Sequence, residues 1–234
     1  MPRSPLCYNR PGVGFFTYYL AFIALAWLLR YPWLLVGILI FFALRRFIPD
    51  PVVWARTASR MANLKAEVDA NPANVTARRD LARTYLERRR PRRALGLLDQ
   101  AREREPDDAE LLFLTGLARA RAGEHEAALD PLVRAVEQNP KVGYGEAFRV
   151  AGDALMALGR FEEAEDAYER FVDWNTSAVA GFVKLARARK RRGDRDGGRE
   201  ALAEAFRTFR LLPGYQRRKQ LGWWLRAQWT KLFL

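Results

Sequence analysis

Residues 94–140 read ALGLLDQAREREPDDAELLFLTGLARARAGEHEAALDPLVRAVEQNP. Within this stretch the chain repeats itself at a fixed distance. Ala94 and Ala128, Leu98 and Leu132, Ala101 and Ala135, and Pro106 and Pro140 are each 34 residues apart. Outward from it, Pro72 precedes Pro106, and Ala82 precedes Gly116, by the same 34. Apolar residues recur at helical spacing, and no stretch alternates with period two for long enough to make a strand. A fixed period of this length marks stacked helical units, each too small to bury its own apolar face.

Further copies extend the register. Leu81, Ala82 and Tyr85 belong to a first unit with Ala94, Leu98, Ala101 and Pro106, and Leu112, Gly116, Gly123 and Ala128 open the second. A third unit offers Phe148, Gly152, Leu155, Gly159, Ala164, Tyr168 and Phe171. Its spacing from the second is 36, from Gly123 to Gly159, which puts two extra residues in the Lys141–Gly145 loop. A fourth, weaker unit offers Phe182, Leu185, Ala186, Gly193, Gly198, Leu202 and Ala205. Over residues 75–210 these positions resemble the tetratricopeptide-repeat family, whose unit is a pair of antiparallel helices. The resemblance implies an all-α helical solenoid of about four helix pairs plus capping helices. It departs at Thr115 and Arg119, where the family has large apolar groups. The small residues Ala82, Gly116, Gly152 and Ala186 are expected to let paired helices approach closely.

North of the repeats the composition changes. Residues 13–44 are almost wholly apolar, interrupted by Arg30-Tyr31-Pro32 and closed by Arg45 and Arg46. Three topologies are compatible with this run: a helical hairpin over 1–48, a single span, or one long helix. Pro32 has no backbone donor and biases Tyr31 away from helix, which favours the hairpin. Its arms, at ~1.5 Å per residue, reach about 25 Å, slightly short of a ~30 Å hydrocarbon core. In a hairpin Arg3, Arg10, Arg45, Arg46, Arg56 and Arg60 fall on one side, which the positive-inside rule makes cytoplasmic. Trp27, Arg30, Tyr31, Trp33, Arg45 and Arg46 are the expected membrane-interface residues. The sequence therefore predicts a membrane protein with its repeats facing the cytoplasm.

Residues 49–74 read as a linker and capping helix, and 211–234 as an amphipathic C-terminal capping helix. Leu221, Trp224, Leu225, Trp229 and Leu232 fall on one side of that helix and are expected to pack on the fourth repeat. Packing on an anionic bilayer is the competing reading of the same face.

The net charge of +13 is unevenly spread. Residues 75–183 hold 17 basic and 20 acidic side chains, and residues 184–234 hold 15 and four. Such a basic end attracts any polyanion, but the dense run from Lys184 to Arg199 carries no interleaved aromatic platform, so nucleic acid is an improbable partner. Catalysis finds no foothold. His125 and Cys7 are single, no cluster has metal-ligand spacing, and no Gly-rich loop follows a strand. No cofactor, no metal and no enzymatic activity are expected.

Family resemblance implies that the inner helices line a groove for a peptide or helix. Projected periodicity places Arg79, Arg83, Phe113, Leu117, Arg149, Asp153, Arg187, Lys190 and Arg191 there. Six bases against one acid predict an acidic segment or chain terminus as the ligand, since the planar arginine fork suits carboxylates. The expected role is a membrane-tethered adaptor for a protein partner. A structural subunit of a membrane complex and a nucleic-acid tether remain the alternatives.

Overall fold

The computed structural model describes residues 51–232, together with Arg30, Trp33 and Gly37, which are helical and exposed. The expected hairpin, with Trp27, Tyr31, Arg45 and Arg46, otherwise lies outside the described residues. Among the described residues no helix is long and apolar enough to cross a membrane.

The chain divides after Asp50, and Pro51–Leu234 forms one compact unit. Its described residues hold ten α-helices and no strand. Helix α1 (Pro51–Ala70) precedes four helix pairs: α2 (Val75–Glu87) with α3 (Pro91–Arg102), α4 (Ala109–Ala122) with α5 (His125–Gln138), α6 (Glu146–Ala157) with α7 (Phe161–Trp174), and α8 (Val179–Arg192) with α9 (Arg195–Leu211). Helix α10 (Gly214–Leu232) follows them.

Local chemistry sets the helix ends. The Asn74 side chain accepts from the Ala77 amide at 3.0 Å, and Asp108 from that of Leu111 at 2.7 Å, so each caps the first helix of a pair. The turn between paired helices needs a left-handed residue. Gly123, Gly159 and Gly193 supply it with φ of 89°, 78° and 99°, and in the first pair Arg89 takes the same place at φ 56°. The two extra residues ahead of the third pair are taken up in the tight turn Val142–Gly145, where Gly143, Tyr144 and Gly145 have φ of 59°, 56° and 80°.

Pairing depends on the small residues. Ala82 and Ala186 are fully buried. A methyl group on Gly152 would come within 2.6 Å of the Tyr168 ring, and one on Gly116 within 2.5 Å of Leu132. Tyr168, Phe171, Leu98 and Leu132 fill the space between layers and are almost wholly buried. Each such side chain contributes roughly 1.5–3 kcal/mol by leaving water. Phe113 and Leu117 pack against both the core of the first two pairs and the core of the next, which joins the layers. At the front, Met61, Leu64 and Val68 of α1 cover the first pair.

The second helices are tied to the first by ions. Glu165, only 7% exposed, accepts from Arg189 at 3.0 Å and forms an ion pair with Arg192 at 3.0 Å. Arg189 also reaches Glu169 at 2.7 Å and the Gly197 carbonyl at 3.1 Å. The guanidinium is thereby held above its ordinary pKa: burial opposes the charge, and the hydrogen bonds it donates to Glu169 and Glu165 outweigh that burial. Part of the dense basic run is thus engaged inside the fold.

The C-terminal helix caps the stack with a different face from the one expected. Ala227 and Thr230 are buried and Trp223 is half-buried against the fourth pair, whereas Leu221, Leu225, Trp229 and Leu232 are 48%, 55%, 64% and 75% exposed. Of the expected set, Trp224 alone turns partly inward, stacking on Phe209 at 5.7 Å. The reason is polar. Helix α8 begins at Ala178, which has no side chain to cap it. Gln220 does so from α10, accepting from the Val179 amide at 2.8 Å and donating to the Ser177 carbonyl at 3.0 Å. Satisfying those groups fixes the rotation of α10.

Candidate functional site: a basic cleft on the first helices

Helices α2, α4 and α6, first members of their pairs, lie side by side, and Lys184 of α8 reaches Asp153 of α6 at 2.5 Å. Arg79 and Arg83 project from α2 one turn apart, and both reach Glu110 in the first turn of α4, Arg79 at 3.1 Å. Arg83 lines a cleft of about 540 Å³ with Leu86, Glu87, Arg89 and Pro91 on one side and Leu114, Leu117 and Arg121 on the other.

Arg121 tucks its guanidinium against the end of α2, donating to the Leu86 carbonyl at 2.9 Å, while much of the residue stays exposed. Its pKa is lowered by that burial and then by the positive charges of Arg149 and Arg89, with Glu146 opposing. The cleft is therefore a place where cations crowd together. An incoming carboxylate would relieve the crowding and find guanidinium donors on both walls.

Beyond the cleft the charges are matched. Arg149 binds Glu146 at 2.5 Å and Asp153 at 3.0 Å. Asp153 also accepts from the Tyr168 hydroxyl at 2.7 Å and from Lys184 at 2.5 Å, which ties α6, α7 and α8 together. Burial, then the Asp153 charge, pushes the Tyr168 phenol far above its ordinary pKa, so this hydroxyl is a fixed donor.

Of the other residues projected onto this face, Phe113 lies half-buried against the Val142–Gly145 turn. Arg187 does not face an open groove: it donates to Thr230 of α10 at 3.3 Å, and burial and then Arg226 lower its pKa. Lys190 and Arg191 stand in the last turn of α8, half-buried and exposed respectively. The nine residues thus separate into a first end with Arg79, Arg83 and Leu117, a middle where Arg149 and Asp153 are matched, and a last end where Arg187 is engaged by α10 while Arg191 is exposed.

Sequence reasoning did not find Glu110, Glu146, Arg89 or Arg121. The repeat register carried the signal for three of them. Glu110 and Glu146 are 36 apart in the first turns of successive first helices, and Arg121 stands one turn beyond Leu117. Arg89 could have been found as the one non-glycine in the series 89, 123, 159 and 193.

A second cavity of about 390 Å³ opens between α5, α6 and α7, with Leu129, Val133, Val136, Phe148 and Leu155 inside and Arg160, Glu163 and Arg170 on its rim. Among the described residues no group of His, Cys, Asp or Glu could hold a metal ion.

The tetratricopeptide-repeat family model matches residues 79–143, the span that holds the cleft. Within those residues the chain carries the tetratricopeptide-repeat pattern. A small glutamine-rich tetratricopeptide repeat-containing protein of Mycosarcoma maydis is 30% identical over 84 residues, 36% of this chain. The match spans only 23% of that relative's length. Two MamA crystal structures share the fold of this chain. One aligns at a TM-score of 0.60 with 23% identity, covering 65% of this chain and 92% of its own. The other aligns at 0.60 with 22% identity, covering 69% and 94%. At such identities the likeness carries the fold alone. The described residues thus form an all-α stack of helix pairs, the fold that these structures share.

Proposed function

We propose that this chain is a membrane-tethered adaptor whose basic cleft captures an acidic segment or the carboxyl terminus of a protein partner. The observation that carries the reading is the pair of guanidinium groups, Arg79 and Arg83, closed on Glu110 at the rim of the cleft. All three side chains are partly solvent-exposed, so a partner's carboxylate competes with Glu110 for donors already in place. Leu86, Leu114 and Leu117 offer an apolar floor for the residue next to that acid. The tether in this reading is the apolar run of residues 13–44; as a hairpin, its flanking arginines support repeats on the cytoplasmic side. The role of the tether is to raise the local concentration of the captured partner at the membrane. No residue set in the cleft has the geometry of a nucleophile and base, so the reading is of binding without catalysis.

The test removes the internal competitor. Glu110→Gln should tighten binding of an acidic peptide library by several-fold, and Arg83→Glu should weaken it by about tenfold or more, as for charged contacts at an interface. Equal binding by both variants and the parent would remove the cleft from consideration.

A further inference from the structure

Helix α10 has two apolar arcs. One packs on the fourth pair through Trp223, Ala227 and Thr230. At roughly 100° per residue, Leu221, Leu225 and Leu232 fall within about 40° of one another on the opposite arc. They are 48%, 55% and 75% exposed, and Trp229 beside them is 64% exposed. At the helix start Leu211 and Tyr215 are exposed as well. A helix already docked on its own solenoid normally turns charge, not leucine, to water.

The charge beside this stripe has one sign. No acidic residue follows Glu204, whereas Arg207, Arg210, Arg217, Arg218, Lys219, Arg226 and Lys231 do. On the helix, Arg217 flanks the stripe on one side and Lys219 and Arg226 on the other, and all are exposed. Apolar side chains in the centre with long cations at the edges match a bilayer interface. The leucines enter the acyl boundary, and the cations extend to the phosphates. A protein partner or a second copy of this chain would need acids to meet those flanks, and the same face on a second copy carries only bases.

We infer that α10 is an interfacial helix that lays the outer face of the last repeat on an anionic membrane surface, a contact separate from any N-terminal anchor. The solenoid is then held to the membrane at its C-terminal end as well.

The experiment uses the full chain with Cys7→Ser and Leu225→Cys, labelled with an environment-sensitive fluorophore at position 225 and reconstituted into phosphatidylcholine vesicles with or without phosphatidylglycerol. A label at Ala203→Cys on α9 serves as the exposed control. The position-225 label should shift to an apolar emission only with phosphatidylglycerol, while the position-203 label stays aqueous. Arg217→Gln, Arg218→Gln and Lys219→Gln together should reduce the bound fraction about tenfold or more, each basic residue being a substantial share of such attraction. A label that stays aqueous in both vesicles overturns the inference. So does a label that is apolar in both, which would mean that protein covers the stripe. Failure of the N-terminal anchor reads out separately, as protein that does not float with pure phosphatidylcholine vesicles. The same labels then report on chain added from solution.

Discussion

Glu165 and Glu110 are each gripped by two arginines, yet the two regions do different work. Glu165 sits between α7 and α8 with 10% of its side chain exposed, and Glu110 bridges α2 and α4 with 35% exposed. The buried carboxylate is not open to exchange, because removing it leaves the half-buried Arg189 short of a counter-charge, whereas Arg192 stays in water. An exposed one is held by groups that water and ligands also reach, so its pairing is worth little and is open to competition. Identical chemistry is thus a fastener in one place and a placeholder in the other, and depth alone decides which.

The sharpest way to break the contrast is to remove both acids in turn. Glu165→Ala should lower stability by roughly 3 kcal/mol, the cost of opening a buried ion pair from one side. Glu110→Gln should change it by no more than about 1 kcal/mol while improving acidic-peptide binding. Thermal and urea melts of the two variants check the pair. Comparable losses would mean that Glu110 is also structural.

Gly152→Ala probes the packing on which both regions rest. Alanine is the better helix former by about 1 kcal/mol, but its methyl would press on Tyr168 at 2.6 Å. That ring cannot move aside without breaking its bond to Asp153. Overpacking of this kind costs ~1–3 kcal/mol, so a net loss of about 1–2 kcal/mol is expected in a urea melt. A stabilised variant would show that the α6–α7 contact is looser than drawn.

Much of this was legible in the sequence and some was not, for physical reasons. The 34-residue spacing of Ala94, Leu98 and Ala101 to Ala128, Leu132 and Ala135 revealed the stack because close helix contact tolerates few residue types. The groove residues were legible as positions, but their charge balance was not. Glu110 and Glu146 neutralise arginines on the same face, and which acid meets which base depends on rotamers that no periodicity records. The rotation of α10 was misread because its two sides are both apolar. Gln220 and Thr230, polar and easily assigned to solvent, are the residues that decide it.

Arg89 separates stability from binding more finely. A left-handed conformation costs a non-glycine residue about 1 kcal/mol, and the matching positions in the other three pairs are glycine. Arg89→Gly should therefore raise stability by up to about 1 kcal/mol. The same change removes a cation from the cleft and should weaken acidic-peptide binding several-fold, measured by calorimetry. A variant that gains stability and binds as before would show that Arg89 is merely tolerated strain.

The smallest effect belongs to a third arginine–carboxylate pair, in which the acid is more exposed than Glu110. Arg160 precedes α7 and grips Glu163 with two bonds, at 2.7 and 2.6 Å. The carboxyl pKa is lowered first by these hydrogen bonds; desolvation opposes them, and the arginine's charge lowers it further. A carboxylate with a depressed folded pKa contributes its stability in full above its unfolded value of about 4.3, and loses it as pH falls through the lowered one. Arg160→Gln should thus melt slightly below the parent at neutral pH, and the gap should close on acidification and shrink in high salt. A gap that persists unchanged at low pH would assign the loss to the arginine's packing rather than to its charge. The graded series from Glu165 through Glu110 to Glu163 would then no longer be a series in solvent exposure.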